Sequence, residues 1–402
     1  MTLKTLTWKA VASKLVPLVA ATGLLVGLLA SCTIGPSAPG GTTSATCAAP
    51  ALLPSSIGTD LTLQAGCYEP KDNVVVSARL TLLPGVTILF PQHLHMDVGN
   101  GGVLAAGGTA TNGILLTGAN DQPGYWGGLN LLTGGAATLS HVEIRDGGDA
   151  SYSSGAALWV EAGDALAMDH TTVDRSGSDG FDTDTGASIA DLSLSANTYQ
   201  DNAGYPVSIS ANAVGALDPA STYAGNGTKQ IDLFGDDVTI DQTWPAMPLP
   251  YFVDGRGADV NVDAALTLAP GAVIAFDQGM AMEVGQSTGS GTLSAVGQSG
   301  NRVTFRAVSG NASEYWNHLA FYTTGNQLSY VDLQGAGSNS AAEILVYNNG
   351  SLSVDHAIID NTSAGNTLEG ICGDSGTTVT VDGATVTFTT DPVASPTSGC
   401  YP

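Results

Sequence analysis

The sequence predicts an all-β solenoid, a stack of short parallel strands wound into a β-helix. Beyond the first 31 residues, short apolar or alternating segments such as 192–195 are separated by Gly, Asn, Asp and Ser. No segment there has the period of an amphipathic helix. With 52 glycines and few lysines, a stack in which each strand packs against the coils above and below fits better than a compact sandwich. A sandwich remains the alternative for a fragment of the chain.

An internal duplication is the third observation behind this fold class. Four segments recur in one order at an offset of 186 to 190 residues, namely 80–90 with 266–276, 125–126 with 315–316, 139–144 with 328–333, and 166–170 with 352–356. Self-similarity of this kind is typical of repeat architectures. We assign the β-helix to residues 47–402, with the copies at about 60–250 and 251–376. The second copy ends in a Thr- and Val-rich strand, 377–390, which we interpret as part of a cap over 377–402.

The N-terminus has the layout of a secretory signal. Lys4, Lys9 and Lys14 precede an apolar run, and residues 29–32, Leu-Ala-Ser-Cys, resemble a bacterial lipobox. The resemblance implies a signal peptide over 1–31 and lipidation at Cys32.

The alternative is an uncleaved membrane anchor, but the apolar run is short against the roughly 20 residues of a spanning helix. Thr33, rather than Asp, follows the cysteine, and resemblance to Gram-negative sorting signals then favours the outer membrane. Residues 32–46 contain no charged or aromatic residue, so we expect a flexible tether.

The chain beyond the signal is strongly acidic. It carries all 36 acidic residues and only eight of the 11 basic ones. This balance excludes nucleic acid as a partner, because phosphate contacts need clustered Lys and Arg. Most of the acids are Asp, which suits turns. Calcium is the candidate ion, since it prefers oxygen ligands, although the sequence contains no EF-hand loop. We expect that the protein requires no cofactor.

Four cysteines follow the lipidation site, at Cys47, Cys67, Cys372 and Cys400. Export favours disulfides, and four cysteines allow three pairings. Because an elongated stack keeps its ends apart, we expect Cys47–Cys67 and Cys372–Cys400. Free buried thiols are the alternative.

Several motifs of the duplicated block resemble those of bacterial right-handed parallel β-helix surface lipoproteins. They are residues 80–90, 126–129, 139–144, 199–209 and 243–253. The likeness covers about residues 60 to 370. It implies a right-handed β-helix of pectate-lyase-like architecture without an assigned reaction.

One cluster of charges is the strongest candidate for catalysis. It consists of Arg145, Asp146, Asp174, Arg175, Asp179, Asp182 and Asp184. A polysaccharide lyase needs a basic group to remove a proton and often calcium to neutralise a carboxylate. The second copy has Gln334 and Asn361 in place of the two arginines. The alternative is a solvated turn edge with surface ion pairs.

A metal site is the other candidate. His93, His95 and Asp97 alternate with apolar residues, so in a strand they would share the outer face. That spacing suits zinc or another divalent ion. Exposed histidines without a ligand are the alternative.

We therefore expect a non-catalytic, lipid-anchored envelope rod that binds polysaccharide or another surface component. A calcium-dependent polysaccharide lyase and a purely structural envelope protein are the alternatives.

Overall fold

The computed structural model describes residues 47–151, 155–310, 315–338, 340, 342–360 and 369–389. These residues form a right-handed parallel β-helix, so the predicted fold class is confirmed. Five sheets run along the coils, and all of the strands within them pair in parallel.

Three sheets make up the N-terminal part. Sheet 1 contains β1 (Ala51–Leu53), β4 (Gly66–Pro70), β7 (Val86–Phe90), β10 (Ile114–Gly118), β13 (Val142–Arg145), β16 (Thr172–Asp174), β19 (Thr198–Gln200) and β21 (Thr222–Ala224). Sheet 2 contains β3 (Leu61–Leu63), β6 (Arg79–Leu82), β9 (Val103–Gly107), β12 (Ala136–Ser140), β15 (Ala165–Asp169) and β18 (Leu192–Ser195).

The third sheet, called the long sheet, continues through both parts of the described chain. It contains β2 (Ser56–Ile57), β5 (Val74–Val76), β8 (His95–Gly99), β11 (Gly128–Leu132), β14 (Leu158–Val160), β17 (Phe181–Thr183), β20 (Val207–Ser210), β22 (Ile231–Phe234), β25 (Tyr251–Asp254), β28 (Val273–Phe276), β31 (Val303–Ala307), β34 (Val331–Gln334), β37 (Ile358–Asp360) and β40 (Thr387–Phe388).

Two further sheets accompany the long sheet in the C-terminal part. Sheet 3 contains β23 (Asp237–Val238), β26 (Val260–Val262), β29 (Met282–Val284), β32 (Leu319–Phe321), β35 (Ala342–Val346) and β38 (Glu369–Gly373). Sheet 4 contains β24 (Gln242–Trp244), β27 (Ala265–Leu268), β30 (Thr292–Val296), β33 (Asn326–Ser329), β36 (Ser351–Asp355) and β39 (Thr378–Val381).

The core is a stack of inward side chains from successive coils. Leu139 of β12 lies opposite Met168 of β15, and Ala137 lies opposite Leu166. All four are at most 3% exposed. Burying each large apolar side chain contributes about 1.5–3 kcal/mol, and a coil gains this only when both neighbouring coils are in place. The alternating sequence of β18 follows the same rule, with its two leucines buried and its two serines exposed.

The two copies make the same contacts. Trp126 stacks on Phe90 and Trp316 stacks on Phe276, each with ring centroids 4.2 Å apart. The indole Nε1 of Trp126 donates to the carbonyl of Arg145 at 2.7 Å. That of Trp316 donates to the carbonyl of Gln334 at 2.8 Å, the matching position in the second copy.

The second copy is nevertheless displaced by one face around the axis. Strand β7 lies in sheet 1, whereas its counterpart β28 lies in the long sheet. Likewise β8 lies in the long sheet and β29 in sheet 3. The change occurs around a 3-10 helix, Ala211–Ala216, which follows β20. Outer surfaces that correspond in sequence therefore point in different directions.

A ladder of polar side chains fixes the corner between sheet 1 and the long sheet. The backbone N–H of Ser176 donates to the Oδ1 of Asn202 at 2.9 Å, and that of Asn202 donates to the Oδ1 of Asn226 at 3.1 Å. The amide of Asn202 also donates to the carbonyl of Val173 at 3.2 Å. These bonds satisfy buried backbone groups at the turn, so the corner has a defined shape.

The ends of the chain differ in part from expectation. The single strand predicted over 377–390 is wrong, because a turn separates β39 from β40 and each continues a different sheet. The Cys47–Cys67 disulfide is confirmed. Cys372 is disulfide-bonded, but Cys400 lies outside the described residues, so that pairing stays a prediction.

The signal peptide, the tether and Cys32 also lie outside the described residues. Within the described chain, no helix has the length and apolar character needed to span a membrane.

Candidate functional site

The seven charged residues predicted as one cluster form two groups on different sheets. Arg145, Asp146, Asp174 and Arg175 lie at the end of sheet 1. Of the other three, Asp182 lies in β17 of the long sheet, and Asp179 and Asp184 lie just before and just after that strand. The charges that shift the pKa of Asp174 are those of Glu143, Arg145 and Asp146, whereas those that shift the pKa of Asp182 are Asp179 and Asp232. The two groups therefore have separate electrostatic surroundings.

The Arg145 cluster consists of Glu143, Arg145, Asp146, Asp174 and Arg175. Arg145 forms an ion pair with Glu143, and its Nε lies 3.5 Å from the Oδ2 of Asp174. Burial raises the pKa of Asp174 to about 7, and the charge of Glu143 raises it further. A carboxyl that titrates near neutral pH is suited to proton transfer, but burial raises the pKa of a carboxyl whether or not it has a catalytic role.

The second arginine of this cluster, Arg175, is also paired with carboxylates. Arg175 Nε donates to the Oδ1 of Asp146 at 2.9 Å, and its Nη2 lies 2.5 Å from the Oδ1 of Asp121. Thr117 donates to the other oxygen of Asp146 at 3.2 Å. Since both guanidinium groups are held by carboxylates, neither is placed to receive a uronate. The geometry favours a structural role, in which these ion pairs stabilise the corner of the β-helix.

The predicted metal triad does not share one strand face. Strand β8 begins at His95, so the placement of His93 was wrong: it lies in the preceding turn, with φ of 66°, and contacts Asp149. His95 Nε2 lies 3.2 Å from Asp97 Oδ2. Across the described ranges, no group of three or more His, Cys, Asp or Glu side chains is arranged to hold a metal ion.

A row of side chains on the outer face of the long sheet contains residues from both the predicted charged cluster and the predicted metal triad. We call it the long-sheet column, and its members are cross-strand partners in unbroken register: Asp97, Asn130, Trp159, Asp182, Ser208, Asp232 and Phe252. Neighbouring strands lie about 4.8 Å apart. Asn130, Ser208, Asp232 and Phe252 are buried, so the column exposes parts of three side chains, those of Asp97, Trp159 and Asp182.

Trp159 is the feature of this column that the sequence analysis missed. It is half-buried, while Leu158 and Val160 on either side are fully buried, so its indole lies on the outer face. The Leu-Trp-Val alternation was a usable indication of that orientation. On one side of Trp159, the Nδ2 of Asn130 donates to the Oδ1 of Asp97 at 2.9 Å.

On the other side of Trp159 lies a group of carboxyls, called the Asp182 cluster, which comprises Asp179, Asp182, Asp232, Asp254 and Arg256. Arg256 Nη2 lies 2.9 Å from the Oδ2 of Asp232, and Arg256 also pairs with Asp254. Burial raises the pKa of Asp232 to about 6. Burial also raises the pKa of Asp182 well above its usual range, and the charge of Asp179 adds to that shift.

Two further side chains shape this cluster. Ser208 lies between Asp182 and Asp232 in the column, and its hydroxyl donates to the Oδ2 of Asp232 at 2.7 Å. The ring of Tyr205 stacks on Phe252 with centroids 6.3 Å apart, and the Arg256 guanidinium lies 6.0 Å from its centroid. The result is a polar site with aromatic rings at both ends.

Comparison with known proteins identifies no relative of this chain. No family model matches it, and no curated protein or solved structure matches it.

Proposed function

We propose that this protein is a non-catalytic β-helix rod that binds an extended polysaccharide along its long-sheet column. The supporting observation is the outward indole of Trp159, set one strand from Asn130 on one side and one strand from Asp182 on the other. An aromatic face offers apolar contact area to a sugar ring, and a placed carboxyl group, here that of Asp182, then fixes its hydroxyls.

The surroundings of the column favour a neutral or cationic glycan over an acidic one. The chain beyond the predicted signal has 36 acidic and eight basic side chains. Like charge repels a polyanionic chain unless a cation such as calcium bridges the two. A binding role without turnover is also consistent with the paired state of both arginines in the Arg145 cluster.

The proposal includes an exported protein held by lipid at Cys32 on the outer membrane, with residues 32–46 as a tether. Support comes from the lipobox-like sequence Leu-Ala-Ser-Cys and from the Cys47–Cys67 disulfide, which suits an oxidising compartment. One acyl chain alone gives marginal membrane binding, so stable attachment requires the several chains that a lipoprotein cysteine and its amine can carry.

The test is retention of the lipid-free mature chain, starting at Thr33, on a panel of neutral, cationic and acidic polysaccharides with calcium present. We expect retention on neutral glycans without cleavage, and a loss of about tenfold in affinity for Trp159→Ala. Tyr125→Ala, which removes a half-buried aromatic ring from a corner, is the matched control.

New unsaturated sugar ends that disappear in Arg145→Ala would instead establish a lyase. No retention on any glycan would leave the structural role as the better account.

A further inference from the structure

The Asp182 cluster contains more carboxyls than its cation can neutralise. Asp179, Asp182, Asp232 and Asp254 lie together, and the ion pairs of the described residues supply them with one cation, Arg256. Arg256 pairs with Asp232 and Asp254, which leaves Asp182 without a cationic partner in the described chain. Carboxyls arranged in this way favour an additional positive group.

A second observation points to a ligand at the same place. Asp232 is 0% exposed, and its Oδ1 has no hydrogen-bond partner, although its Oδ2 accepts from both Ser208 and Arg256. A buried acceptor is usually satisfied, and leaving one unsatisfied costs about 1–3 kcal/mol in general. Burial raises the pKa of both Asp182 and Asp232, and the neighbouring carboxylates add to each shift.

Resting on the proposed glycan-binding function, we infer that the column selects an amino sugar with a free ammonium group. The pyranose ring stacks on Trp159, and the ammonium group lies over Asp182. Trp159 and Asp182 are direct cross-strand partners, so about 4.8 Å of sheet separates the aromatic contact from the carboxyl. An ammonium brings three donors and one positive charge, which are the features this site lacks.

Two related glycans meet the same surface less well. An N-acetylated sugar keeps the ring that stacks on Trp159 but has no positive charge for Asp182. A uronate brings a further carboxylate to a site that already contains four. The predicted order of affinity is therefore the free amino sugar first, its N-acetylated form second and the uronate last.

The experiment is titration calorimetry of the mature chain with two oligosaccharides of one length, a β-1,4-glucosamine hexamer and its fully N-acetylated form. We expect the free amine to bind about tenfold or more tightly at low salt, with the advantage shrinking as ionic strength rises. Asp182→Asn, which keeps the shape of the side chain, reduces the ratio to about threefold or less. Asp237→Asn, on the outer face of sheet 3, is the matched control and leaves the ratio unchanged.

The outcomes separate the two proposals. Equal binding of both hexamers that is lost in Trp159→Ala overturns the amino-sugar inference and keeps the glycan-binding function. Tighter binding of the free amine that persists in Asp182→Asn also overturns the inference, since the charge would then be recognised elsewhere. Absence of binding by both hexamers and by every glycan of the panel overturns both proposals.

Discussion

Replacing Asp174 by Asn tests the electrostatics of the Arg145 cluster. The pKa of this carboxyl is about 7 in the folded chain, against an ordinary 3.8. Between those values the folded chain retains a proton at Asp174 that the unfolded chain has lost. The free energy of unfolding therefore falls as the pH rises, by about 1.4 kcal/mol per pH unit. Across the window from about pH 4 to pH 7 this amounts to about 4 kcal/mol.

Asp174→Asn removes this titration. The variant has an amide of the same shape, and Arg145 keeps its ion pair with Glu143. We expect the loss of stability between pH 4.5 and pH 7.5 to be smaller in the variant than in the wild type by several kcal/mol. The buried carboxyls outside the Arg145 cluster contribute equally to both proteins, so they cancel in the comparison.

The assay is urea unfolding at four pH values across this window, followed by tryptophan fluorescence. Asp237→Asn is the control, since this exposed carboxyl lies on another sheet, where it accepts from Asn261 at 2.9 Å. If Asp174→Asn and the wild type lose stability in parallel as the pH rises, burial does not raise the pKa of Asp174 in the folded chain.

Three other changes follow from the fold. Trp126→Ala and Trp316→Ala should each lower the free energy of unfolding by about 3–5 kcal/mol, because each removes a fully buried indole. An unchanged melting temperature in either variant would contradict this. Cys67→Ser removes a disulfide across 20 residues, worth about 3 kcal/mol, and hydrogen exchange should show opening confined to the first coils rather than the whole rod. Glu343→Gln should stabilise the chain above neutral pH and have little effect near pH 4. The reason is that burial raises the pKa of Glu343 well above its usual range and neither of its oxygens is hydrogen-bonded. Equal effects of the substitution at both pH values would contradict this.

The fold was accessible from the sequence because its main determinants are local. Alternating segments such as 192–195 identify strands, and the recurring pairs at 125–126 and 315–316 identify equivalent corners. The displacement of the second copy by one face was not accessible. It depends on a single 3-10 helix, Ala211–Ala216, whose sequence has no distinctive helix-forming pattern.

The candidate site was harder to predict because it depends on register between coils of unequal length. Asn130 contacts Asp97 across 33 residues, whereas Ser208 contacts Asp232 across 24. A residue's neighbour on the next coil therefore cannot be found from a fixed period. The same variability explains why Arg145 and Asp182 looked like members of one cluster but lie on different sheets.

The most direct test of the central claim is a crystal structure of the mature chain soaked with an oligosaccharide that the glycan panel identifies. The account predicts a sugar ring over the indole of Trp159, with the glycan running across β11, β14 and β17. A glycan bound on another face, or one that contacts the Arg145 cluster instead, would contradict it.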